Sequence, residues 1–94
     1  MLRLITIDLT QANLDAFERY EAEVLNLLPR YGGCVKMRVR TLDATTETHL
    51  LRFPDEDAFE RFRSDPRRLA LSVEWERCGA RSAVQPVERV PRSD

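Results

Sequence analysis

Residues 2–9 read Leu-Arg-Leu-Ile-Thr-Ile-Asp-Leu, and this segment constrains the fold more than any other. Its leucines and β-branched residues predict a strand. Ile5, Ile7 and Leu9 fall on one face, and Leu2, Leu4 and Thr6 on the other. A strand apolar on both faces is a central strand that needs cover on both sides. The chain has 94 residues. That is enough for one core, but it leaves few elements to cover two faces. Residues 1–90 are therefore read as one domain, with 91–94 as a loose polar tail.

The remaining periodicity fills in the order. Residues 13–29 predict a helix capped by Thr10 or Asn13, with Leu14, Phe17, Tyr20, Val24, Leu25, Leu27 and Leu28 on one broad face. Pro29 and then Gly32-Gly33 end it. Residues 34–41 alternate, with Val35, Met37 and Val39 on one side and Lys36, Arg38 and Arg40 on the other. A turn over 42–45 joins them to a strand over 46–53, giving a hairpin. Pro54-Asp55 opens a helix to about Arg63. Asp65-Pro66 marks a restart, and a piece over about 67–77 is expected to bury Leu69, Ala70 and Val73. Gly79 stops it. Residues 81–90 form a last strand, at an edge or bulged at Pro86.

The order β-α-β-β-α-(α)-β makes an α+β, ferredoxin-like antiparallel sheet with helices on one face. The other face is open in one copy, and Leu2, Leu4, Leu50 and Val84 are its candidates. An apolar sheet face marks an interface, and a homodimer packed sheet to sheet covers it.

Composition narrows the function classes. Fifteen Lys and Arg against sixteen Asp and Glu give a net charge of −1. That balance excludes a basic excess of the kind nucleic-acid binders carry. RNA-recognition modules share this topology but need stacking aromatics on the first and third strands. Here those strands offer Ile5, Ile7, Leu50 and Leu51, so no nucleic-acid partner is expected. A metallochaperone would need an MxCxxC loop, and residues 8–13 are Asp-Leu-Thr-Gln-Ala-Asn. Two separated cysteines and one histidine support neither a metal centre nor a disulfide framework, and reduced, partly buried thiols are expected. No run has the length of a membrane span and the N-terminus has no signal-peptide pattern, so the expected location is cytoplasmic. Fourteen of the fifteen basic residues are arginine. Any basic group in a pocket is thus a planar, bidentate donor.

Tyr31-Gly32-Gly33, the run Leu50-Leu51-Arg52-Phe53-Pro54-Asp55-Glu56-Asp57-Ala58-Phe59, and the Ser64-Asp65-Pro66 break occur in an order that resembles the dimeric α/β-barrel superfamily. That superfamily includes the antibiotic-biosynthesis-monooxygenase-like proteins, and within it the chain looks most similar to a family of short bacterial domains of unknown function. The resemblance covers residues 2–90. It implies a homodimer with a cavity between sheet and helices. Enzymes among such relatives include cofactor-free oxygenases, isomerases and haem proteins. Phe62-Arg63 stands where the resemblance implies a Trp-Tyr-like pair.

His49 alone has an unperturbed charge that changes near neutral pH. With Glu47 two residues away on the same strand face, it is a candidate acid–base pair, against the alternative of a structural histidine. An odd hairpin loop puts His49 on the helix-facing side with Val39, Leu51 and Phe53. An even loop puts it on the other side with Arg38 and Arg40. A haem-ligand role for His49 has no second feature behind it, and no cofactor is expected. Glu21 lies inside the apolar arc of the first helix, where a carboxylate is paired or raised in pKa. It is read as a cavity acid opposite Arg38 or Arg52, or as a salt bridge at the helix–sheet seam. Arg38, Arg40 and Arg52 with Lys36 make a basic patch that either holds a small anionic or aromatic ligand or lies at the dimer seam. Tyr31 is a pocket-rim or packing residue. Trp75 and Phe62 are expected in the core or at the dimer contact. No phosphate loop, GxSxG elbow or Cys–His signature is present. Two functions follow: a small-molecule enzyme of the monooxygenase or isomerase kind, or a non-catalytic ligand-binding homodimer.

Overall fold

The computed structural model describes residues 1–91, and the tail expected beyond Pro91 lies outside them. Strands β1 (Leu2–Asp8), β2 (Cys34–Arg40), β3 (Thr46–Arg52) and β4 (Arg81–Val87) form one sheet in the order β2-β3-β1-β4, antiparallel throughout. Helix α1 (Leu14–Leu25) follows β1, and α2 (Glu56–Arg63), α3 (Pro66–Ala70) and α4 (Ser72–Cys78) link β3 to β4. This is the ferredoxin-like arrangement, with β1 central as its two apolar faces require.

Local chemistry sets the element ends. Asn13 Oδ1 accepts from the Ala16 amide at 2.9 Å and starts α1. The helix is shorter than its apolar arc predicts, because Pro29 has no amide hydrogen for the Leu25 carbonyl. The chain continues instead as a 3₁₀ turn over Leu28–Tyr31. Gly32 ends that turn at φ +69°, and a Cβ there would stand 2.7 Å from Pro54 Cγ. Asp55 caps α2 and Asp65 caps α3, each accepting a backbone amide. The expected helix over 67–77 is two short pieces broken at Leu71.

The core has two parts. Val24, Leu27, Leu28, Leu51, Phe53, Ala58, Phe59 and Phe62 form the larger. Ile7, Leu9, Phe17, Cys78 and Ala80 form the smaller. Ile5 packs against both and pairs across the sheet with His49. The polar site described below lies at this junction.

Several expectations are corrected. Arg38 pairs with His49 and Arg40 with Glu47, so on β2 the arginines, not Met37 and Val39, face the helices. Six residues, an even number, separate the paired Arg40 and Glu47, so His49 shares its face with Arg38 and Arg40; that face is the helix-facing one and also holds Leu51, so each alternative drawn from loop length held part of the answer. An irregularity between Val35 and Met37 reverses the alternation, so Val35 opposes Leu51 while Met37 opposes Leu50 on the open face. Val84 opposes Ile5 and lies on the helix side, not the open one. Leu69 and Val73 are about half exposed, because α3 and α4 are too short and too sharply bent to press both onto the sheet. Of the thiols, Cys78 is buried and Cys34 exposed, and both are free.

Candidate functional site

Glu47 and His49 alternate with Thr48 along β3, so both side chains point from the sheet toward α1. Both are almost completely buried, at 2% and 1% exposure. His49 Nε2 lies 2.5 Å from Glu47 Oε2. An ionised carboxylate only accepts, so this contact assigns the proton to Nε2 and leaves Nδ1 a lone pair. Nδ1 lies 3.9 Å from Glu21 Oε2 on α1.

A buried carboxylate needs partners. Arg38 Nε donates to Glu47 Oε2 at 2.9 Å, and Arg40 Nε donates to Oε1 at 2.7 Å. Glu18, one turn before Glu21 on α1, accepts from both guanidinium groups and closes the bracket from the helix side. Burial works to raise the Glu47 pKa, but hydrogen bonds from His49, Arg38 and Arg40 outweigh it and hold the group below its usual 4.5. Burial pushes His49 below its usual 6.5, and the Glu47 bond opposes this without reversing it. His49 is therefore neutral at pH 7. Burial raises Glu21 from 4.5 to about 7, Arg38 pulling down and Glu47 pushing up. An ionised carboxylate, a neutral imidazole and a carboxyl titrating near neutral pH thus stand in line.

This line ends in a cleft of about 210 Å³ between sheet and helices. Glu21 and His49 line it together with Ile5, Val24, Trp75 and Val84, and Arg68, Ser72 and Ser82 add polar groups. Tyr20 and Trp75 pack with ring centroids 5.1 Å apart at its edge.

The structure brings Glu21, Glu47, His49, Arg38 and Arg40 into one network, and leaves Arg52 and Tyr31 out of it. Arg52 opposes Leu2 and Cys34 on the open face, so the four basic residues do not form one patch. The Tyr31 hydroxyl donates to buried Asp65, and its ring meets Phe62 edge-on. Asp65 also accepts from Arg67, which with the Tyr31 bond holds its carboxyl well below the usual range. Sequence reasoning missed Glu18, Arg68 and Ser72. Helical spacing does not tie the last two together, because Arg68 lies on α3 and Ser72 starts α4 after the break at Leu71.

No protein-family model matches the chain, and no curated protein matches it. Solved structures do match it. SnoaB of Streptomyces nogalater, a cofactor-independent oxygenase, is 16% identical with a TM-score of 0.72, over 95% of this chain and 94% of its own. An antibiotic biosynthesis monooxygenase is 16% identical with a TM-score of 0.67, over 97% of this chain and 100% of its own. A dimeric ferredoxin-like protein of unknown function from Jannaschia sp. CCS1 is 13% identical with a TM-score of 0.66, over 93% and 100%. At such identities the likeness is one of fold. This chain has the ferredoxin-like fold that antibiotic-biosynthesis-monooxygenase-type structures share.

Proposed function

We propose that the protein is a homodimeric small-molecule enzyme of the isomerase or cofactor-free monooxygenase kind, in which His49 moves a proton. The observation that carries this reading is the Glu47–His49 contact, which leaves Nδ1 unprotonated and 3.9 Å from Glu21 in a residue that lines the cleft. A neutral imidazole with its tautomer fixed by a carboxylate is a general base near neutral pH. Nδ1 takes a proton from an acidic C–H of the bound molecule, and the electron pair moves into an adjacent carbonyl as an enolate. Glu21, whose pKa burial raises to about 7, supplies or accepts the second proton. Returning it at another carbon is an isomerisation; addition of the enolate carbon to O₂ gives a hydroperoxide whose O–O bond breaks with loss of water to leave a new carbonyl, an oxygenation. Glu47, Arg38 and Arg40 are positioning residues.

The open face carries Leu2, Leu4, Leu50, Met37 and Val39, the last two 41% and 52% exposed. A second copy covers it in this reading. The dimeric state of the Jannaschia protein of the same fold supports that choice.

The test is deuterium uptake from D₂O into a panel of enolisable ketones and phenols, read by mass spectrometry. Exchange that His49→Gln abolishes supports the base. Exchange unchanged in His49→Gln contradicts it. Full hydrogen bonding of Glu47 favours a second reading, a binding protein without turnover whose polar network fixes the core. Ligand binding with no exchange of any substrate establishes that one.

A further inference from the structure

Arg68 lines the same cleft as Glu21 and His49, and its guanidinium is unusually placed. Nη1 donates to the Arg63 carbonyl at 3.2 Å. The opposite edge, Nε and Nη2, has no acceptor among the described residues, and Nε is the one buried side-chain nitrogen or oxygen there without a hydrogen-bond partner. No described carboxylate forms an ion pair with Arg68. Its plane is steadied by Phe62, whose ring centroid is 5.5 Å from Cζ. A donor shut away from water without an acceptor costs free energy, so the fold retains an unmet demand at this point. The Nε–Nη2 edge is the fork that a planar carboxylate fits with two parallel bonds.

We infer that Arg68 is the anion-anchoring residue of the cleft and that its ligand is a small carboxylate with an apolar, preferably aromatic, body. Ile5, Val24, Leu25, Leu69 and Trp75 supply the apolar walls. At about 210 Å³ the cleft falls below the roughly 300–1,000 Å³ of sites for drug-sized molecules. One ring with a short substituent is the appropriate scale. The inference names the ligand class for the cleft proposed above, and it holds whether or not His49 performs chemistry.

The experiment uses the full chain, with benzoate and its uncharged counterpart benzamide as probes. Trp75 is the sole tryptophan and lines the cleft, so its fluorescence reports occupancy. Wild type is expected to bind benzoate about tenfold or more tighter than benzamide, the size of a charge-assisted bond pair. Arg68→Gln and Arg68→Met are expected to lose that preference while keeping benzamide binding, which also shows that they fold. His49→Gln is expected to keep it, which separates this inference from the catalytic reading. Equal affinity of wild type for both probes, an intact preference in Arg68→Gln, or no Trp75 response to either at millimolar concentration would each overturn it.

Discussion

Glu47 and His49 are neighbours on one face of β3, joined Oε2 to Nε2 at 2.5 Å, and the carboxylate also accepts from Arg38 at Oε2 and from Arg40 at Oε1. One charged group thereby decides which imidazole nitrogen carries the proton. Removing it leaves the two guanidinium groups with Glu18 alone and the buried imidazole N–H without its acceptor. Glu47→Ala is expected to cost about 2 kcal/mol, the scale of a buried donor left unsatisfied. Urea denaturation measures this, and a loss below about 0.5 kcal/mol would place the network among weak surface pairs.

Glu21 makes stability depend on pH with a definite sign. Its pKa is 4.5 unfolded and about 7 folded, so its favourable contribution is full below pH 4.5 and is lost as pH rises through 7. The loss amounts to about 3 kcal/mol. Glu21→Gln stays neutral and escapes it. The variant should therefore be more stable than wild type at pH 8 and close to it at pH 4.5. A difference of the same size at both pH values would show that the buried carboxyl does not titrate as described.

Gly79 ends α4 at φ +80°, and a Cβ there would stand 2.5 Å from the Gln11 carbonyl oxygen. The contact is with backbone and cannot relax cheaply. Gly79→Ala is expected to lose roughly 2 kcal/mol or more, seen as a lower Tm. An unchanged Tm would mean the β1–α1 loop does not pack as observed.

The open face predicts association. Wild type is expected to sediment at twice its 11.0 kDa chain mass. Leu4→Arg and Leu50→Arg, which place charge among the apolar side chains of β1 and β3, should yield folded monomers. A wild-type monomer at micromolar concentration contradicts the dimer.

Much of the fold was legible because its signals are local: Asn13, Asp55 and Asp65 as caps, Pro29 and Gly32 as stops, the two apolar faces of β1. The orientation of β2 was not. Its apolar side chains suit the inner face by pattern, yet the sheet turns Arg38 and Arg40 inward, because Glu47 and Glu18 meet them there. That choice depends on partners distant in sequence, which periodicity does not register. Glu21 and His49 were legible as polar residues on apolar faces. Arg68 was not, since a lone arginine on a short, bent helical segment looks like solvated surface until its unused edge is seen against the cleft.

The protonation state of His49 is read most directly by long-range ¹H–¹⁵N NMR of the imidazole across pH. His49 is the sole histidine, so assignment is unambiguous. At pH 7 the ring is expected to be neutral and protonated at Nε2 with a bare Nδ1, taking up its second proton only below the ordinary value of 6.5. A ring protonated at Nδ1, or an imidazolium at pH 7, would contradict it.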